Sequence, residues 1–571
     1  MPWFVSCRKI LSLVCVSTWL ISSNLVAQQP QSDERRRTGH QGMVVAVCPL
    51  AADAGLQALK RRGNAVDAAI ATAFALAVTW PEAGNIGGGG FMLVHAGKGN
   101  QPVVVDYRET APAAATENMF AGKGEPSQYR LVGVPGTVAG LVLAHEKFGS
   151  LPWRELVMPA VQLAEGGFTV DEALADSLNG GLRSSNDFAE FRRVYGKNGG
   201  RDPWQAGDRL MLPELAKTLQ RIADDGAAGF YQATTSELIA AEMTRGGLIT
   251  KDDLQKYRAR LRQPIHGTFR GFHVYGPPPP SSGGIALVEM LNVLENFPLQ
   301  RQGRYSAASL HLIVEAMRRA YYDRARYLGD SDFVEISMHL TSKDYARQLA
   351  AQIDRERATS SRTLAHEIPI LEESPQTTHF SVVDGQGMAV SNTYTLEESF
   401  GSRIVVRGGG FLLNNEMGDF NPRPGVTNEK GQIGTSPNLV APGKRMLSSM
   451  TPVIITTPHG EPLLVTGSPG GRTIINTVAC VVLNVLEFQM SPAEAVASPR
   501  LHHAWFPDRI QAEPALFKDH PESLERLRQM GHTVHSPPAR QGDAHTIWIE
   551  PKTGEIHGVA DSRRSGAARG Y

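Results

Sequence analysis

At 571 residues, 42% hydrophobic and 20% charged, the chain is long enough to bury a sizeable core, either as one large domain or as a few ordinary ones. Its 57 lysines and arginines balance 57 aspartates and glutamates, so no global charge draws it toward nucleic acid or an anionic membrane. Neither class nor partners follow from composition, and the reading passes to the elements in chain order.

Arg8 and Lys9 precede the apolar run Ile10 to Leu20, and Leu25-Val26-Ala27 then leads into the hydrophilic "QQPQSDERRRTGHQG". Basic, apolar and small residues in that order predict a secretory signal over 1–27, cleaved after Ala27, and a linker over 28–42. The apolar run is short against the roughly 20 residues of a membrane span, so an exported chain with no integral span is expected. Cys7 and Cys15 would leave with the signal, and no small residue precedes Cys15 as a lipoprotein anchor would need. Cys48 and Cys480 remain, and are expected as two buried thiols rather than a disulfide.

In "AADAGLQALKRRGNAVDAAIATAFALAVTWP" apolar residues recur three and four apart, which predicts two helices with a stop at Gly63-Asn64. The second, Ala65 to Thr79, is apolar nearly all round and should be buried. "NIGGGGFMLVHAGKGNQPVVVDYRE" predicts two strands around a turn, and "SLHLIVEAMRRAYYDRARYLGD" a later amphipathic helix. No fixed-period repeat is present, which excludes solenoids. Gly87 to Gly90 leads into a strand and lacks the Gly-Lys-Ser/Thr of a phosphate loop, so close backbone approach is expected there. "HEKFG" at His145 lacks a second histidine four residues on, and the adjacent histidines of "LHHAWFP" point to opposite faces of a strand. No metal site is expected.

"PQTTHFSVVDGQGMAVSNTYTL", Pro375 to Leu396, reads as a hairpin whose first strand opens on polar residues. With Gly385-Gln386-Gly387 as the loop, Asp384 pairs with Met388, and the register sets Thr377 opposite Thr395, His379 opposite Thr393 and Ser381 opposite Ser391. One face of the ribbon then carries hydroxyls and an imidazole. Cross-strand threonine pairs stabilise sheets by roughly 0.2–1 kcal/mol each, so this face has a purely structural reading. A catalytic hydroxyl needs a base and an oxyanion site, and no acid–histidine pair stands at fixed spacing around Thr377. Cleavage of the Gln376–Thr377 bond would supply a base: the freed α-amine of Thr377, which titrates near neutrality, could take the hydroxyl proton of the same residue.

"TTHFSVVD…TYTLEESFG" closely resembles the start of the small subunit of the γ-glutamyltransferases, a family of N-terminal-nucleophile hydrolases that cleave themselves before a threonine. The resemblance runs from about Gly42 to Tyr571 and includes "YRETAP", "PPPPSSGG", "LLNNEMGDF", "LSSMTPVI", "GSPGGRTI" and "ADSRRSGAARGY". It implies a four-layer αββα sandwich of the α+β class, made as a precursor and cut into a large subunit, 43–376, and a small subunit, 377–571, that stay associated in one intertwined domain. By matching position, Thr377 is the nucleophile and Thr395 its hydrogen-bond partner, while Gly470 and Gly471 form the oxyanion hole. Arg108, Ser448 and Ser449 match the clamp for the substrate α-carboxylate, and Glu416 and Asp419 the acceptors for its ammonium.

The resemblance further implies glutathione or another γ-glutamyl amide as donor, water or an amino-acid or peptide amine as acceptor, and no cofactor. This sequence departs from the family pattern at Glu397, where well-known members place an asparagine that helps bind the amino-acid head. Gly418 stands for a common acidic residue, outside the substrate contacts, and Lys430 takes the place of an aromatic tip on the covering loop. Two other readings stay open: an acylase for another donor, such as a glutaryl β-lactam side chain, and an uncleaved exported binding protein.

Overall fold

A computed structural model describes residues 34–122, 126–364, 377–428 and 434–571. The leader expected at 1–27, with Cys7 and Cys15, lies outside the described residues, as do Gln376 and Lys430.

The apolar periodicity near the N-terminus resolves into helices Pro49–Lys60 and Ala65–Thr79. Asn64 starts the second: its Oδ1 accepts from the Val66 and Asp67 N–H groups, and Asp67 Oδ2 accepts from the Asn64 N–H. Every residue of that helix is buried, as its all-round apolarity predicts. It packs on a sheet whose strands run, in spatial order, Ala567–Gly570, Gly42–Ala46, Thr378–Asp384, Met388–Thr395, Gly89–Ala96, Val103–Asp106 and Arg260–Arg262. A second sheet runs Arg36–Gly39, Ile556–Val559, Thr546–Ile549, Pro462–Thr466, Val453–Thr456, Phe272–Gly276 and Ile265–Phe269. Helices Gly283–Leu294, Ala307–Tyr327 and Thr473–Leu486 share its core and form the opposite outer layer. The result is the four-layer αββα sandwich.

The hairpin has the expected register: Thr378 pairs with Tyr394, His379 with Thr393 and Ser381 with Ser391. Its two faces do different work. Phe380, Val382, Val390 and Tyr394 pack on the helices of the first outer layer. The polar face turns inward against the second sheet, where buried hydroxyls need partners. There Ser381 Oγ donates to the His545 carbonyl at 2.9 Å and Ser391 Oγ to the Thr466 carbonyl at 3.0 Å. His379 bridges Thr393 Oγ1 at 2.8 Å and Ser381 Oγ at 3.0 Å, and burial holds its pKa well below the usual range.

Strand Gly42–Ala46 lies between two strands from beyond position 377, Ala567–Gly570 and Thr378–Asp384. Chain from either side of the expected cut is thus woven through both sheets. Cys48 and Cys480 are buried free thiols.

Candidate active site

Thr377 immediately precedes the central strand Thr378–Asp384, and one more step along the observed register sets it against Thr395. Both are buried, and both line one cavity with Arg108, Glu397, Glu416, Asp419, Ser448, Ser449, Met450, Gly471, Arg472 and Ile474. Ten residues singled out in the sequence, drawn from five separate segments, are therefore brought to one place; nine line the cavity and Gly470 stands one residue behind Gly471.

The Gly87–Gly90 segment makes this convergence possible. A Cβ on Gly87 would clash with the Leu412 carbonyl, and one on Gly88 with the Thr395 carbonyl, so close backbone approach is its role. Asn414 then pins the next segment there, donating from Nδ2 to the Gly87 and Gly133 carbonyls at 2.8 and 2.9 Å. Its Oδ1 accepts from the Glu416 N–H at 3.1 Å, starting the single 3-10 turn Glu416–Asp419.

Arg108 leaves the end of strand Val103–Asp106 with a guanidinium only 1% exposed. Nη1 lies 2.6 Å from Glu416 Oε1 and 3.7 Å from Glu109 Oε2, and Nη2 pairs with Asp419. Nε donates to the Met446 carbonyl at 3.3 Å. In this self-paired state the cavity measures about 30 Å³, above the roughly 10–15 Å³ that a water molecule requires. Burial, with Glu416 beside it, pushes Glu109 well above the usual carboxylate range; burial also raises Glu416 against the pull of Arg108. Both Glu109 oxygens and Glu416 Oε2 lack a hydrogen-bond partner among the described residues.

In the segment that follows Met446, Ser448 Oγ accepts from the Met450 N–H at 3.1 Å, and Ser449 Oγ accepts from Arg324 Nη2 at 3.1 Å. The "PPPPSSGG" loop supports them, with the Ser282 N–H donating to the Ser448 carbonyl at 2.8 Å. Arg324 comes from helix Ala307–Tyr327 and carried no local signal of a role here. Gly470 and Gly471 adopt φ of +129° and +52°, and their carbonyls accept from the Thr473 and Ile474 N–H groups that begin helix Thr473–Leu486.

Glu397 sits at φ +82°, its N–H donating to Thr395 Oγ1 at 2.8 Å and its Oε2 accepting from Asn415 Nδ2. A Cβ built on Gly418 would lie 3.6 Å from Glu397 Oε1. The two departures from the family pattern therefore face each other: an acidic residue at 418 would bring a second carboxylate against Glu397.

His311, Glu315 and His532 form a cluster compact enough for a cation that the sequence did not reveal. Its groups are already engaged. His311 Nε2 donates to the Asp354 carbonyl at 2.8 Å, so its Nδ1 accepts from His532 Nε2 at 2.8 Å. Glu315 pairs with Arg318 at 3.2 Å and Arg319 at 2.5 Å, and two guanidiniums repel a metal ion.

A threonine heading an inner strand of an αββα sandwich, facing a pocket for a small charged group, defines a hydrolase of the N-terminal-nucleophile class. Comparison with known proteins narrows this. The family model for gamma-glutamyltranspeptidase matches residues 51–571. The glutathione hydrolase proenzyme of Escherichia coli (strain K12) is 45% identical over 92% of this chain and 90% of its own length. Among solved structures, a cephalosporin acylase from Bacillus halodurans superposes with a TM-score of 0.83 at 26% identity, covering 96% of this chain and 99% of that one. A gamma-glutamyltranspeptidase from Helicobacter pylori gives a TM-score of 0.53 at 41% identity over 55% of this chain and 91% of its own. The chain belongs to the gamma-glutamyltranspeptidase family.

Proposed function

We propose that the protein is a γ-glutamyltransferase and glutathione hydrolase, matured by cleavage between Gln376 and Thr377 into subunits 43–376 and 377–571. The observation that carries this reading is the meeting, in one cavity, of Thr377 and Thr395 with a guanidinium, two serines and three carboxylates. Arg108 with Ser448 and Ser449 takes the α-carboxylate of a γ-glutamyl head, while Glu416, Asp419 and Glu397 surround its ammonium. A zwitterion inserted there replaces the Arg108–Glu416 and Arg108–Asp419 pairs without adding net charge.

The α-amine of Thr377 takes the hydroxyl proton as Oγ attacks the γ-carbonyl, with Thr395 orienting the hydroxyl. The N–H groups of Gly470 and Gly471 hold the oxyanion, a contribution of about 3–4 kcal/mol per donor in other hydrolases. The leaving amine takes the proton from the α-ammonium, leaving a γ-glutamyl ester on Thr377. Water or an amine then attacks that ester, the α-amine again accepting and returning a proton, and glutamate or a new γ-glutamyl amide departs.

The leader at 1–27 supports export; among the described residues no helix is long and apolar enough to cross a membrane. Interleaved strands would hold the subunits together after cleavage. The similarity to acylases is compatible with a glutaryl donor, but such a donor has no ammonium to satisfy Glu416 and Asp419. The test is turnover of γ-glutamyl and glutaryl anilides on the purified, processed enzyme. Preference for the γ-glutamyl donor on the order of 100-fold or more is expected, and equal or better turnover of the glutaryl compound would transfer the assignment to an acylase.

A further inference from the structure

Away from the pocket, a second buried polar cluster joins the last described stretch before the cut to the loop 502–508. Ser361 is at its centre and fully buried. Its N–H donates to Asp508 Oδ2 at 2.8 Å, its Oγ donates to the Trp505 carbonyl at 2.7 Å, and its carbonyl accepts from Trp505 Nε1 at 3.0 Å. Arg318 donates from Nη1 to Ser361 Oγ at 2.5 Å and pairs with Asp508. His503 Nδ1 accepts from the Trp505 N–H at 3.1 Å, which leaves Nε2–H to donate to Asp508 at 3.2 Å. Nearby, the Ala358 N–H donates to the Met530 carbonyl at 2.7 Å and the Thr359 N–H to Glu315 Oε1 at 3.1 Å.

The loop that Ser361 grips also holds the oxyanion segment. Arg472, next to Gly471 and lining the catalytic cavity, donates from Nη2 to the Ala504 carbonyl at 2.9 Å. Its own carbonyl accepts from Tyr321 Oη, one turn along the helix from Arg318. Asn476, on the first turns of the helix after Gly471, donates to the His503 carbonyl at 2.9 Å. Between these contacts Trp505, fully buried, is held at φ +62°, a region bulky residues adopt only where the surroundings force it.

We propose that Ser361, Arg318 and Asp508 form a positioning clasp: by docking the end of the prospective large subunit on Trp505, they set the Ala504–Arg472 contact and hence the Gly470–Gly471 pair for both self-cleavage and turnover. This rests on the reading of the chain as a self-processing threonine hydrolase. None of the three clasp residues lines the substrate cavity, so loosening the clasp lowers the rate of chemistry and leaves binding of the donor head alone.

The test uses the full-length chain as wild type, Ser361→Ala and Asp508→Asn, with precursor conversion followed by intact mass and kcat and KM measured on the processed fraction. Ser361→Ala removes two hydrogen bonds with almost no change in volume, which guards against failure of Asp508→Asn to fold. The clasp predicts at least a tenfold slower conversion and a comparable fall in kcat, at unchanged KM. Conversion and kcat at wild-type values in either folded variant would overturn it, as would a loss that appears as raised KM with a lowered melting temperature. A wild-type chain that never cleaves would instead remove the processing reading beneath it.

Discussion

Two buried ionic clusters in this molecule are each built around arginine and carboxylates and end in different states. Around Arg108, one guanidinium faces Glu109, Glu416 and Asp419, and carboxylate oxygens of Glu109 and Glu416 stay without hydrogen bonds among the described residues. Burial there pushes the acids up. Around Arg318 the charges balance, with Arg319 Nε the one buried polar side-chain atom of Glu315, Arg318 and Arg319 without a hydrogen-bond partner among the described residues: Glu315, between Arg318 and Arg319, is pulled down to about 2 despite its burial, and His503 holds Asp508 low with help from Arg318. A buried charge left short of partners is costly, whereas a satisfied network is rigid. Under the proposed reading, the first cluster receives the ammonium of the donor, whereas the second holds chain to chain.

Disturbing the pocket should have the largest effect on activity. Arg108→Gln removes the carboxylate clamp, and kcat/KM for a γ-glutamyl donor should fall on the order of 1000-fold, mainly through KM. The matched cluster should answer in stability instead. Glu315→Gln leaves two buried guanidiniums undercompensated, and urea unfolding should record a loss of roughly 3 kcal/mol. Equal effects of the two substitutions on KM would erase the distinction between the clusters.

Acid should distinguish them further. Burial lowers His503 to about 4 and His532 to about 3 from an ordinary 6.5, while Asp508 is also depressed. The unfolded chain therefore binds more protons than the folded one below pH 6.5, so the contribution of the two histidines is lost as pH falls from there toward 4 and then 3. Below about pH 4, Asp508 adds to the loss in the same direction. Glu315, Arg318 and Arg319 face the same groups and are already contained in those shifts. Melting temperatures across pH 4 to 7 should decline on acidification, less so in His532→Gln. The smallest effect expected is at the pocket rim. Gly418→Asp sets a carboxylate against Glu397 and should raise donor KM about tenfold, with Glu397→Asn in the same chain restoring most of it.

Local chemistry was legible wherever neighbours in sequence are neighbours in space. The hairpin register followed from a short glycine-flanked loop, and helix Ala65–Thr79 from the apolar spacing after the Gly63-Asn64 stop and its nearly all-round apolarity. The pocket was legible only through the family resemblance, because Arg108, Thr377, Glu416, Ser448 and Gly471 are far apart in the chain and no spacing rule joins them. Arg324 escaped notice for the same reason, as did the clasp, whose contacts span up to 190 positions between Arg318 and Asp508. Glu397 and Gly418 looked like independent departures until the fold set one against the other.

The account stands on Thr377 becoming a chain terminus. Purified mature protein should be resolved into subunit masses, and the smaller fragment sequenced from its N-terminus, beside a Thr377→Ala control. A fragment beginning at Thr377, absent from the control, is the predicted result. A single intact chain that nevertheless turns over γ-glutamyl donors would contradict it, because the only base assigned to the nucleophile would then not exist.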